Sequence, residues 1–117
     1  MLFIRQWRIL LIMEFIETSV FTRQITELLN DSEYELLQHE LLLDPMKGVL
    51  IQRSAGLRKL RWKTRSKGKR GGIRVIYYYI TEDEKIYMLL AYLKSSKDNL
   101  SNQELKILRS IVEEELK

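Results

Sequence analysis

Cysteine is absent, so the chain can hold neither a disulfide nor a zinc site built on thiolates. Histidine occurs once, at His39, within a stretch that reads as helix; a lone helical histidine suits a structural or surface place better than catalysis or metal ligation. No nucleophile elbow, P-loop or dinucleotide fingerprint is present. Gly68-Lys69-Arg70-Gly71-Gly72 combines glycine with cations but lacks the Walker spacing and its terminal Ser or Thr, so its glycines serve a tight cationic turn. No apolar run has the length of a membrane span, and no small-residue cleavage site follows the apolar first twelve residues. One further absence is local. Between Pro45 and Thr81 there is no Asp or Glu at all.

That same segment holds eleven of the twenty Lys and Arg, leaving the remainder with nine basic and sixteen acidic residues. The net charge of +4 therefore conceals a strongly polarised molecule. Such asymmetry points to a polyanionic partner, because Lys and Arg gain affinity by releasing counterions condensed on a nucleic acid. Within the segment, Leu57-Arg58-Lys59-Leu60-Arg61-Trp62 and Ile73-Arg74-Val75-Ile76-Tyr77-Tyr78-Tyr79 flank a glycine-bearing connector at 63–72. Two β-rich runs so joined read as a hairpin that presents cations from one rigid platform.

A chain of 117 residues supports one modest core. Met1 to Ile12 reads as an extension upstream of Met13, or else as an extra strand or partner-packing segment; residues 13–117 read as a single domain. Phe15-Ile16-Glu17 reads as a strand. Phe21, Ile25, Leu28 and Leu29 share one helical face. Ser32 with Glu35 suggests a capping box for a second helix, striped by Leu36, Leu37, Leu41 and Leu43 and ended by Asp44-Pro45. Val49-Leu50-Ile51 is a short strand or loop anchor. Ile86 to Tyr92, the most apolar run, suits a central strand. After a polar connection from Lys94 to Asn99, Ser101 and Glu104 cap a final helix with Leu105, Leu108, Val112 and Leu116 on one side. The fold expected is α+β: an N-terminal strand and helical hairpin, then an antiparallel sheet and a C-terminal helix. Its helices are expected on one sheet face, with Arg58, Arg61 or Lys59, and Arg74 near the open one.

A face of Lys, Arg and Tyr can cleave RNA without a metal or other cofactor. The ribose 2′-hydroxyl is itself the nucleophile, so the protein need only orient it, stabilise the phosphorane and move protons. Arg pairs two phosphate oxygens at once, a lysine among cations has a depressed pKa, and aromatic rings stack splayed bases. Plain RNA-binding surfaces use the same residue types. Of the aromatics, Trp62 and at least one of Tyr77 to Tyr79 read as core.

The runs Leu57 to Arg61, Gly68 to Tyr78 and Met88 to Lys94 together resemble the RelE superfamily of bacterial toxins, and most closely its HigB branch. The likeness extends from about Glu14 to the C-terminus. It implies a RelE-like domain acting as a cytoplasmic, ribosome-dependent mRNA endonuclease, neutralised by a cognate helix-turn-helix antitoxin, with no membrane association. The toxin alone would be a monomer and the toxin–antitoxin complex a higher-order assembly. It further implies Lys59 and Arg61 as paired basic positions facing RNA and Arg74 as the holder of the scissile phosphate. Tyr92 and Lys94 complete the implied catalytic set. Arg58, Lys63, Arg65, Lys67, Lys69 and Arg70 would contact mRNA or ribosomal RNA. Ser95 and Ser96 stand where some relatives carry arginine or glutamate, and Ser101 to Lys117 has no tyrosine. Lys67, Lys69 or Arg70 are thus alternatives as general acid. Two other readings fit: a ParE-like gyrase inhibitor on the same fold, and a non-enzymatic RNA- or DNA-binding module.

Overall fold

The computed structural model describes the backbone of residues 3–9 and the whole of residues 13–64 and 71–116. Arg65, Lys67, Lys69 and Arg70 of the basic connector lie outside the described residues. Strand β1 (Phe3–Ile9) runs antiparallel to β2 (Met13–Thr18), so seven residues of the N-terminal leader form an edge strand. Thr18 closes β2 and opens helix α1 (Ser19–Leu28), its hydroxyl accepting from the Phe21 N–H at 3.0 Å. Phe21 and Ile25 face inward as their spacing predicts.

Helix α2 (Asp31–Leu43) departs from expectation in two respects. Its cap is Asn30, whose side chain accepts from the Glu33 N–H at 2.8 Å, and not Ser32. Asn30 has the extended backbone a cap requires, and Asp31 and Glu33 then meet the positive end of the helix. The buried stripe is Tyr34, Leu37, Gln38 and Leu41, whereas Leu36 is 52% and Leu43 86% exposed. The phase is set by Tyr34. Its ring tilts against Phe21 at 5.9 Å, and its hydroxyl donates to the Glu17 carboxylate, which also accepts from Thr22 at 2.6 Å. A fully buried carboxylate that accepts from both Tyr34 and Thr22 ties β2, α1 and α2 together.

The remaining strands are β3 (Val49–Leu50), β4 (Arg58–Trp62), β5 (Ile73–Ile80) and β6 (Lys85–Leu93), followed by helix α3 (Asn102–Ile111). The sheet order is β1-β2-β6-β5-β4-β3, antiparallel at every pairing except β2 with β6. The basic hairpin is present, with Arg58 opposite Tyr77 and Trp62 opposite Ile73. Ser101 and Glu104 form the expected capping box, and α3 continues into a π-helical turn at Val112–Leu116.

Both faces of the sheet are covered, which corrects the expectation of one open face. On the first, Phe15, Leu60, Ile73, Val75, Tyr77 and Met88 pack against α1 and α2. On the second, Leu57, Ile76 and Leu89 pack beneath Leu108, Val112 and Leu116. The reason is that β5 and β6 are apolar on both sides, so the stripe of α3 has somewhere to go. Among the described residues no helix is long and apolar enough to cross a membrane.

Strand β6 is irregular at one point. Ile76 pairs with Leu90 but Tyr77 pairs with Met88, so Leu89 is a bulged extra residue. Ile86 and Met88 belong to the first layer, and unbroken alternation would carry Tyr92 there too. The bulge inverts the phase: Ala91 and Leu93 join the first layer and Tyr92 the second. Here β6 has outrun β2, and side chains of the adjoining segment stand in for the missing ladder. Thr18 donates to the Leu89 carbonyl at 2.9 Å and the Ala91 N–H donates to Gln24 Oε1 at 2.9 Å.

Gly72 returns the chain to β5 with φ +74°, and a Cβ there would lie 2.1 Å from the Trp62 carbonyl oxygen. Gly72→Ala should therefore cost more than about 3 kcal/mol, read as a lower urea midpoint, whereas Ser101→Ala at the α3 cap should cost about 1 kcal/mol.

Candidate nucleic-acid interface

The pleat of β4 divides its cations. Leu60 and Trp62 point into the first layer, which sends Lys59 and Arg61 to the second face. Arg61 lies directly across from Arg74 on β5, and Arg74 directly across from Tyr92 on β6. The three form one row across three strands, with Lys59 on the next rung of the same face. Helix α3 covers the Ile76–Leu89 part of this face, and the row lies beside it.

Arg74 is only 6% exposed. Its guanidinium is held by carbonyls and one carboxylate: an η-nitrogen donates to Gly71 and Ile73 oxygens, each at 3.2 Å, and Nε donates to Asp98 Oδ1 at 3.0 Å. The connection after β6 thus reaches back over the row. Lys59 Nζ donates to the Asp98 carbonyl at 3.2 Å and to Asn99 Oδ1 at 2.7 Å. The Tyr92 hydroxyl meets the same carbonyl at 3.4 Å, its ring lying beneath Lys97 Nζ at 4.8 Å. Lys97 is itself paired with Glu104 of α3. Arg61 is exposed, as is Lys94, whose stem lies against Gly71.

Of the residues singled out in the sequence, Lys59, Arg61, Arg74, Tyr92 and Lys94 converge. Arg58 does not join them. It falls on the side of Leu60, and its guanidinium donates to the carbonyls of Met46 and Gly48 at 3.1 and 2.8 Å. Lys63 is exposed just past β4, where Thr64 bonds Glu33 of α2. Tyr77 is core: its hydroxyl donates to the Pro45 carbonyl at 2.7 Å and accepts from the Gly48 N–H at 2.8 Å. Trp62 packs partly buried on the first layer. The residue that sequence reasoning missed is Asp98. Its only signal was to be an acid in the short polar connection just beyond Tyr92 and Lys94.

The electrostatics follow from this crowding. Partial burial lowers the Lys59 pKa, and Arg61 and Arg74 push the same way against the opposing pull of Asp98. Burial pushes Tyr92 up to about 12, helped by the negative charges of Asp98 and Glu104. For Asp98, desolvation opposes ionisation, but the hydrogen bond and charge of Arg74, with Lys59 and Lys94, hold the carboxyl below its usual range. The arrangement offers a fixed guanidinium, a lysine that holds its proton less tightly than usual and a phenol that keeps its proton.

Comparison with known proteins adds two findings. A family model described as the RelE toxin of the RelE/RelB toxin–antitoxin system matches residues 44–117. Among solved structures, a mutant of E. coli toxin RelE in the free state is similar at 19% identity, covering 72% of this chain and 85% of that one, with a TM-score of 0.46.

The Tyr92 shift has a measurable consequence. Its folded pKa lies above the unfolded value of about 10, so the folded state holds the proton more tightly. The associated stability is complete below pH ~10 and is lost as pH rises toward 12. Burial raises Tyr77 and Tyr79 in the same direction. The urea midpoint should therefore fall across this window, and fall less in Tyr92→Phe than in the wild type.

Proposed function

The chain belongs to the RelE toxin family, and on that premise we propose that it is a ribosome-dependent mRNA endonuclease of the HigB-like branch. It cuts mRNA in the ribosomal A site by attack of the ribose 2′-hydroxyl. The single observation that carries this reading is the convergence of Arg61, Arg74 and Lys59 on one point of the sheet, beside Tyr92 and Lys94. That is the charge distribution a pentacoordinate phosphate requires.

The steps can be assigned to side chains. Lys59, with its lowered pKa, takes the proton from the 2′-hydroxyl. The resulting oxygen attacks the adjacent phosphorus, and Arg74 and Arg61 neutralise the charge gathering on the non-bridging oxygens. The bond to the 5′-oxygen breaks, leaving a 2′,3′-cyclic phosphate. Lys94, exposed beside Gly71, returns a proton to the departing oxygen. Tyr92 keeps its proton throughout, standing directly across from Arg74. The attacking group belongs to the substrate, so this chemistry calls for no metal. Lys63 and the connector cations Arg65, Lys67, Lys69 and Arg70 serve ribosomal RNA, and a cognate helix-turn-helix antitoxin holds the toxin inactive in the cytoplasm.

Cleavage of a reporter mRNA in a reconstituted translation system tests the proposal. Arg74→Gln and Arg61→Ala should each lower the cleavage rate by at least about 100-fold, equivalent to about 2.7 kcal/mol of transition-state stabilisation. Arg61→Ala is the cleaner variant because its side chain is exposed. Undiminished cut mRNA from both variants would overturn the assignment. Inhibition of gyrase supercoiling in place of cleavage would move the chain to the ParE-like reading, and salt-sensitive binding without cuts would make it a binding module.

A further inference from the structure

The phosphate-binding position of the proposed nuclease is already filled from within the chain. Asp98 places a carboxylate oxygen 3.0 Å from Arg74 Nε, and among the described residues it is the acidic side chain in an ion pair with that guanidinium. The same residue's carbonyl takes Lys59 Nζ at 3.2 Å and the Tyr92 hydroxyl at 3.4 Å. One residue therefore engages three groups of the row. We propose that Asp98 is an internal substitute for the RNA phosphate, so that RNA binds by exchanging its phosphodiester for the Asp98 carboxylate at Arg74. This rests on the nuclease reading and specifies how its site is kept when empty.

The geometry makes the exchange one-sided. The Arg74 side chain is 7% exposed and pinned by two carbonyls from its own hairpin, whereas the Asp98 side chain is 44% exposed. The arginine stays and the aspartate leaves. Asp98 sits in irregular chain between two anchors, the Lys97–Glu104 pair and the Ser101 cap of α3, so a small local movement suffices to withdraw it. A carboxylate and a phosphodiester each carry one negative charge and offer oxygens to a guanidinium fork, so the cations lose no neutralisation in the exchange. The depressed carboxyl pKa of Asp98 reports the same cations acting on it that would act on the phosphate. Displacing the carboxylate opposes every ligand alike, and a lone phosphate offsets that penalty poorly. An RNA held at further points offsets it easily.

A 2′-O-methyl RNA oligonucleotide, which has no attacking hydroxyl, serves as the probe. Its affinity is measured for the wild type, Asp98→Asn and Asp83→Asn. The last adds the same unit of charge at an exposed turn remote from the row. Asp98→Asn should bind at least about fivefold more tightly and Asp83→Asn less than about twofold. The gain should vanish when Asp98→Asn is combined with Arg74→Gln. If Asp98→Asn binds no better than Asp83→Asn while Arg74→Gln still weakens the wild type, the internal substitute is wrong and the nuclease site stands. If Arg74→Gln leaves wild-type binding unchanged, both fall. Thermal unfolding verifies that each variant is folded. In the wild type, the Asp98 carboxyl-carbon NMR signal should move on adding the oligonucleotide, and a signal that stays put overturns the proposal.

Discussion

Like charge crowded onto paired strands is the constraint on which this molecule turns. Arg61 faces Arg74 directly across the β4–β5 ladder, and Lys59 lies on the next rung. Cations so placed repel one another, and a sheet carrying them needs compensation. It comes from two sources: the hairpin's own carbonyls at Gly71 and Ile73, and the connection after β6, which brings Asp98 and Asn99 over the row. The compensation explains how an arginine can be almost wholly buried at the centre of a basic segment. It also explains why the polar connection takes its particular path.

The site depends as much on apolar packing as on charge. Strand β5 gives Ile73, Val75 and Tyr77 to the layer beneath α1 and α2, and Ile76 to the layer beneath α3. Arg74 sits between Ile73 and Val75 in the chain but on the opposite side of the pleat, and its position is fixed by two cores at once. Packing of this density is what lets a long, flexible side chain present one geometry. Helix α3 takes the part of the second face that is apolar and leaves the cation row to the polar connection.

How far this was legible in the sequence varies with the physics of each element. The basic hairpin was readable because cation and apolar residues alternate about a glycine-bearing connector. The α3 cap was readable because Ser101 and Glu104 are spaced for reciprocal bonds, both of which form. The phase of α2 was not. Leu36, Leu37, Leu41, Leu42 and Leu43 allow several stripes, and the choice fell to Tyr34, whose partner Glu17 is distant in sequence. Nor could period-two reasoning bring Tyr92 beside Arg74. Only the Leu89 bulge does that, and a bulge leaves no mark on the apolar pattern of the run. Asp98 was illegible because its role comes from a turn folding back on two other strands.

The parallel pairing of β2 with β6 has a consequence for how the protein comes into being. The strands of the cationic face are sequence neighbours, and such contacts close quickly. The central seam is different: Thr18 bonds Leu89 across 71 residues, and Phe15 waits for Ile86. During synthesis the first strand pair and both early helices must therefore remain without their floor until β6 has left the ribosome. Contact order of this kind makes the last seam the slow one, and the nascent toxin passes through a stage in which the Phe15, Phe21 and Ile25 surface is bare.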